Sequence, residues 1–277
     1  MQLFAPAKIN LFFKILCRRE DGFHEIETLM APISLVDELT IEPNESGEGI
    51  AFTTDDPTLP PGDDNLVVRS ARSFFEAINQ KPRVRIALRK KIPNGAGLGG
   101  GSSDAASILH GLNELHGRPL PPAHLTTLAA ALGSDVPFFL AQGAARCRGR
   151  GEIVEPVEPL PPLALLLLKP EFGVPTPWAY RQWLDSRELP GIDYGPQQVG
   201  DIIFQNDLER PVFEKHLFLA RMKGWLREQP EVAAALLSGS GSTMFAVLRE
   251  AAEAEALAHR ARAELDPKLW TAVAKVR

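Results

Sequence analysis

Val84, Ile86 and Leu88 alternate with Arg85, Ala87 and Arg89, the period-two pattern of a half-buried strand. Ahead of them, Leu66, Val67, Ala71, Phe74 and Phe75 recur at helical spacing over 65–77, with Asn65 as the cap. Leu11–Leu16 and Leu35–Ile41 read as strands, and a third falls near Ile50–Thr54 inside the turn-rich stretch Glu42–Asp64. Ala105–Leu115 and Pro122–Leu132 read as helices. Prolines then cluster over Glu155–Pro162, marking a boundary or crossover. Beyond it the pattern predicts a strand at Ala164–Lys169, a helix at Pro177–Asp185, an irregular segment at Leu189–Gly200, and a helix at Phe213–Glu228. A loop and strand over Ser238–Leu248, a helix at Ala251–Leu265 and a closing strand at Trp270–Val276 complete the chain. Strands and helices interleave without a regular βαβ repeat, so the expected class is α+β.

Composition narrows this picture by exclusion. Of 277 residues, 44% are hydrophobic and 23% charged, as in an ordinary globular protein. A net charge of −5 gives no overall pull toward nucleic acid or an anionic membrane. Pro6, Lys8 and Asn10 interrupt any signal-like apolar core, and the aliphatic run Leu163–Leu168 is too short to span a bilayer. A cytoplasmic protein is expected. Cys17 and Cys147 form no metal or redox spacing and read as reduced thiols.

The chemistry concentrates in one loop. Residues 93–106 read Pro-Asn-Gly-Ala-Gly-Leu-Gly-Gly-Gly-Ser-Ser-Asp-Ala-Ala, with five glycines from Gly95 to Gly101 ahead of a helix. A glycine loop opening onto a helix N-terminus offers free N–H groups and a positive dipole end, which together bind phosphate. Three better-known loops do not fit. Gly101 stands where a Walker A loop needs lysine. Gly95, Gly97 and Gly100 match the dinucleotide spacing, but Arg89-Lys90-Lys91 and Pro93-Asn94 separate them from the preceding strand. His-Arg-Asp and Asp-Phe-Gly, required of a protein kinase, do not occur.

Other residues suit phosphoryl transfer. Lys8, at the edge of a strand pattern with Asn10 on the same face, could stabilise a phosphoryl group. Asp135 precedes Val136-Pro137-Phe138-Phe139 and could accept a hydroxyl proton, or simply close a turn. Asp21-Gly22-Phe23-His24-Glu25 lacks the second histidine of a zinc protease, and Phe23 with His24 could read a base. Ser238-Gly239-Ser240-Gly241-Ser242 is either a second phosphate-side loop or a plain turn.

Three segments in order resemble the GHMP kinase superfamily: Pro6-Ala7-Lys8-Ile9-Asn10-Leu11, the loop from Pro93 to Ala106, and Ser238-Gly239-Ser240-Gly241. Within it, Asp21–Glu25, Ser134–Phe139, Lys169-Pro170, Pro175-Thr176-Pro177 and Asn206-Asp207-Leu208-Glu209 look like the branch that phosphorylates a cytidine-diphosphate sugar alcohol of the non-mevalonate isoprenoid route. The resemblance implies a two-domain fold, with a ribosomal-protein-S5-like ATP-binding domain over 1–158 and a ferredoxin-like substrate domain over 159–277. It implies ATP with Mg²⁺ as cofactors, the metal ligands being unassigned.

The resemblance makes Lys8 and Asp135 catalytic. It gives ATP to Pro93, Asn94, Gly95, Ala96, Gly97, Leu98, Gly99, Gly100, Gly101, Ser102 and Ser103, together with Asn65 and Lys91. It gives the acceptor to Asn10, Phe23, His24, Tyr180, Gly239, Ser240 and Gly241. Phe23 stands where the family usually has tyrosine, and Arg146–Gly151 is assigned only a turn. A homoserine- or mevalonate-type kinase and a non-catalytic nucleotide sensor remain as alternatives at this stage.

Overall fold

The computed structural model describes every residue except Ser46 and Gln142. Its first half contains β1 (Gln2–Arg18), β2 (His24–Pro43), β3 (Gly49–Thr54), α1 (Leu66–Ala77) and β4 (Arg83–Arg89). Next come α2 (Gly100–Leu115), α3 (Pro122–Leu132), α4 (Val136–Leu140), β5 (Ala145–Gly149) and β6 (Ile153–Pro156). The second half runs β7 (Ala164–Lys169), α5 (Thr176–Gln182), β8 (Gln197–Val199), β9 (Ile202–Asn206), α6 (Glu209–Lys215) and α7 (Leu217–Glu228). It ends with β10 (Val232–Leu237), β11 (Met244–Leu248), α8 (Ala254–Glu264) and β12 (Trp270–Lys275).

Two sheets organise these elements. The larger has the path β3-β4-β2-β1-β9-β8, with β5 and β6 attached along the other half of β2. The smaller has the order β10-β11-β7-β12. Its strands and helices follow the chain order β-α-β-β-α-β once β8 and β9 are set aside, and its spatial order is that of a ferredoxin-like unit. The α+β class and the ferredoxin-like half both match the expectation.

β7 explains its own composition. Leu165 and Leu167 face the core shared with Ile9, Leu11 and Ile33 of the larger sheet, while Leu166 and Leu168 face the core of α6 and α7. A strand buried on both faces reads as a continuous aliphatic run. A third core joins α1, α2 and α3 to Leu39, Ile41 and Ile86 on the far side of the larger sheet.

Several sequence expectations need correction. β1 and β2 extend well beyond Leu11–Leu16 and Leu35–Ile41, pairing from Gln2↔Thr40 to Arg18↔His24. Three register shifts along that ladder break the alternation that marks a strand. Arg146–Gly151 is mostly β5, paired with Ile26–Met30, and turns only after Gly149. Its alternating arginines had masked it. The helix expected over Phe213–Glu228 is two helices broken at His216. β8 replaces the end of the irregular segment, and β9 follows it, pairing in parallel with β1 at Phe12↔Gln205 and Phe13↔Asn206. β10, all small and aliphatic, also escaped notice. No helix among the described residues is long and apolar enough to cross a membrane.

Candidate active site

The site begins with a fault in the β1–β2 ladder. Register shifts between Pro6 and Lys8 and again between Asn10 and Phe12 flank the segment that carries Lys8 and Asn10. The Lys8 N–H bonds to Leu98 O at 2.9 Å, so the strand is tied to the glycine loop instead of to β2 alone. Lys8 and Asn10 are 3% and 2% exposed, and such burial requires partners. Lys8 Nζ donates to Asn10 Oδ1 at 2.7 Å and to Gly97 O at 2.9 Å, and stands 3.7 Å from Asp135 Oδ2. Asn10 Nδ2 in turn donates to Thr28 Oγ1 at 2.8 Å, and the Thr28 hydroxyl donates to Phe12 O. Burial holds the Lys8 pKa below its ordinary value of 10.5, and the neighbouring Asp135 opposes that shift.

The glycine loop folds as its composition requires. At Gly97 φ is +75°, and an added Cβ would meet Ser238 O at 2.1 Å. No other residue fits there. Gly99, with φ +69°, caps α2, and a Cβ there would meet both Lys8 Cγ and Phe139 Cζ at 3.0 Å. The helix starts at Gly100, five residues ahead of the expected Ala105, so Gly100, Gly101 and Ser102 form its first turn. Their N–H groups lack partners within the helix, and the three residues line a cavity of about 430 Å³.

Most expected site residues line that cavity: Lys8, Asn10, Asn65, residues 93–102, Asp135, Tyr180, Gly239 and Ser240. The Asp135 side chain is 38% exposed. Ser240 shares a 2.7 Å hydrogen bond with Thr176 Oγ1, which closes one wall. Gly241 lies behind, donating its N–H to Ser238 O at 2.9 Å.

Ser103, Lys91, His24 and Phe23 do not line the cavity. Ser103 is fully buried in α2, its N–H bonded to Gly99 O, so its hydroxyl faces the protein interior. Lys91 pairs with Glu38 on the surface, and Lys90 is the lysine that lines the cavity. The two lysines follow the end of β4 at Arg89, and their side chains diverge to different carboxylates. Asn65 lines the cavity but its amide is spent, accepting from Val67 N as the helix cap and donating to Pro60 O. His24 and Tyr180 touch, their rings 5.3 Å apart and tilted by 32°. Phe23 is 50% exposed, with the Arg150 guanidinium 4.6 Å over its ring.

Sequence reading missed the support around Lys90. Its ammonium bridges the Asp37 and Asp104 carboxylates, the latter at 3.0 Å. Asp37 also accepts the N–H groups of Lys91 and Ile92, at 2.6 and 2.8 Å. Asp104 is 2% exposed, and burial pushes its pKa up to about 7. Thr28 and Asp37 lie in β2, where nothing in the local pattern distinguishes them from other polar strand positions.

Comparison with known proteins bears on the family and the fold. Residues 65–143 match the family described as GHMP kinases N terminal domain, and residues 196–266 match GHMP kinases C terminal. A 4-diphosphocytidyl-2-C-methyl-D-erythritol kinase of Methylacidiphilum infernorum is 43% identical over 271 residues, covering 96% of this chain and 93% of that one. A solved 4-(cytidine 5'-diphospho)-2C-methyl-D-erythritol kinase superposes with a TM-score of 0.81 at 37% identity, over all of both chains. The mevalonate kinase of Methanococcus jannaschii, at 13% identity and a TM-score of 0.67, shares the fold over all of this chain and 98% of its own.

Proposed function

The chain belongs to the GHMP kinase family, and from that premise we propose that it transfers the γ-phosphoryl group of ATP to a hydroxyl of 4-diphosphocytidyl-2-C-methyl-D-erythritol, giving the 2-phosphate and ADP. The observation that carries this reading is the position of Lys8. Its ammonium is held between the glycine loop at Gly97 O and the Asp135 carboxylate. An acceptor oxygen beside Asp135 would then face the phosphates bound at the start of α2.

Phosphoryl transfer needs positioning and charge stabilisation more than covalent chemistry from the protein. The N–H groups of Gly100, Gly101 and Ser102 hold the phosphates, helped by the α2 dipole. Leu59, Pro60, Leu66, Val67 and Leu88 give the same cavity an apolar wall suited to the adenine ring, with Lys90 at its edge. As the acceptor oxygen attacks phosphorus, its O–H proton passes to Asp135 and the ADP oxygen leaves with the bonding pair. Two N–H groups of Lys8 are occupied by Asn10 and Gly97, and the third is free to follow the charge that develops on the transferred group.

Mg²⁺ needs only one or two protein oxygens when phosphates supply the rest. The exposed Asp135 carboxylate and the cavity-lining Ser102 hydroxyl fit that need, and the metal would neutralise phosphate charge. On the acceptor side, Phe23, His24 and Tyr180 read the cytosine, and Gly239 and Ser240 shape the path to Asp135.

Asp135→Asn tests the assignment. Transfer should fall at least 1,000-fold, in the range lost with a catalytic base, while ATP binding measured by calorimetry stays near the wild-type value. Turnover within ten-fold of wild type would remove Asp135 from the mechanism. A homoserine- or mevalonate-type kinase would have no use for the His24–Tyr180 pair. Competition separates the readings: CDP should inhibit the proposed enzyme and leave such a kinase unaffected.

A further inference from the structure

The polar side chains of the corner between β9 and α6, Asn206-Asp207-Leu208-Glu209, do not line the cavity themselves, yet the corner is densely hydrogen-bonded and reaches the wall at Gly239. Asn206 is 4% exposed. Its Nδ2 donates to Leu237 O and to Gly239 O, each at 2.8 Å, and its Oδ1 accepts from Leu208 N at 2.9 Å. Asp207 grips β1, donating its N–H to Phe13 O at 3.0 Å and accepting Ile15 N at 2.9 Å. Glu209 accepts Leu237 N at 2.9 Å through one oxygen and Lys223 Nζ at 2.5 Å through the other.

These contacts tie the strand that carries Lys8 to the loop that follows Leu237. That loop lies against the ammonium: a Cβ on Gly239 would stand 3.2 Å from Lys8 Nζ and 3.4 Å from Asn10 Oδ1. A lysine ammonium has three N–H donors. Two are committed to Asn10 and Gly97, leaving one for Asp135 and the reacting oxygens. A free peptide carbonyl on the residue packed against the ammonium would compete for it. Asn206 occupies the Gly239 carbonyl. Glu209 and Lys223 are 1% and 2% exposed, and a buried ion pair adds little net stability over apolar residues of the same volume. Its consequence here is a fixed position for Leu237, one residue before the loop.

We propose that Asn206 is a positioning residue for phosphoryl transfer, holding the Gly239 carbonyl away from Lys8 so that the third ammonium N–H stays with Asp135 and the transferred group. The inference rests on the reading of Lys8 and Asp135 as the transfer pair. Asn206→Asp keeps the shape and turns two donors toward carbonyls into acceptors. With the rate normalised to ATP-binding sites, kcat should fall about 10- to 100-fold, as for other small misplacements of a reacting group. KM for ATP and for the acceptor should stay within about two-fold. The new carboxylate should also move the alkaline limb of the kcat–pH profile upward. Asn206→Ala, which frees the carbonyl without adding charge, should lower kcat in the same way with no such movement. If wild type turns over and both variants keep wild-type kcat per ATP-binding site, with losses only in the folded fraction, Asn206 is structural and the inference fails. If wild type shows no turnover with the cytidine-diphosphate acceptor, the reading of the whole site fails and takes this inference with it.

Discussion

In the proposed transfer the chemistry depends on Lys8, and the environment of that residue makes a pH prediction. Burial lowers its pKa, and the proposed transfer role requires the ammonium. Activity should therefore be present below the folded-state pKa and be lost as pH rises through it, at a point below the ordinary 10.5. Lys8→Arg, which does not deprotonate in this range, should abolish that alkaline limb in whatever activity it retains. Asp104 makes a separate prediction, for stability. Its folded pKa, about 7, lies above its ordinary 3.8, so the folded state holds the proton more tightly. The stability it contributes is present at low pH and lost as pH rises from about 4 to 7. Asp104→Asn should flatten that part of the stability–pH curve in chemical denaturation. An unchanged slope would show that Asp104 does not titrate in this window.

At this scale the sequence was legible wherever a residue sits in a compact motif. Lys8, Asp135 and the glycines could be located because their neighbours in the chain are also their neighbours in the site. Lys90, Asp37 and Thr28 could not. Their partners are distant in the chain, Thr28 meeting Asn10 of β1 and Lys90 meeting Asp37 of β2, a tertiary fact with no local marker.

The glycine loop is the element that joins the two halves of the site. Ala96 O accepts Thr243 N, Gly97 O accepts both Lys8 Nζ and the Ser238 hydroxyl, and a Cβ on Gly173 would stand 3.2 Å from Gly95 O. Gly97→Ala cannot be accommodated by a side-chain shift, because the obstruction at 2.1 Å is backbone. It should lose most nucleotide affinity, measured by calorimetry. Gly101→Ala, whose nearest neighbour would be Leu66 Cδ1 at 3.7 Å, has room and should leave stability nearly unchanged. Thermal melts of the two variants make the check: equal Tm values would mean that the Gly97 contact is not as tight as described.

The glycines announced this loop, but not where its helix begins. Reading placed the start at Ala105, since glycine disfavours helix interiors. The helix opens at Gly100, where close approach to Ile92 and Lys90 excludes a larger residue. β5 and β9 were illegible for another reason. β5 alternates arginine with small residues, and β9 is a short strand whose parallel pairing with β1 depends on a partner nearly two hundred residues away.

At the scale of the whole molecule, two sheets meet across a shared core, and the site sits where their loops converge. Lys8 and Asn10 come from the larger sheet, Gly239 and Ser240 from the turn between β10 and β11 of the smaller, and Asp135 from the start of α4. No element carries the proposed site alone. The larger sheet also recruits β8 and β9 from the second half of the chain, so the two halves are joined by strand pairing as well as by packing.

The account stands on acceptor identity, and one measurement addresses it directly. ADP release is followed with ATP and Mg²⁺ in the presence of 4-diphosphocytidyl-2-C-methyl-D-erythritol, and in parallel with homoserine and with mevalonate. The account predicts ADP formation that depends on the cytidine-diphosphate acceptor, is inhibited by CDP, and disappears in Asp135→Asn. ADP formation with homoserine or mevalonate, and none with the cytidine-diphosphate acceptor, would contradict it.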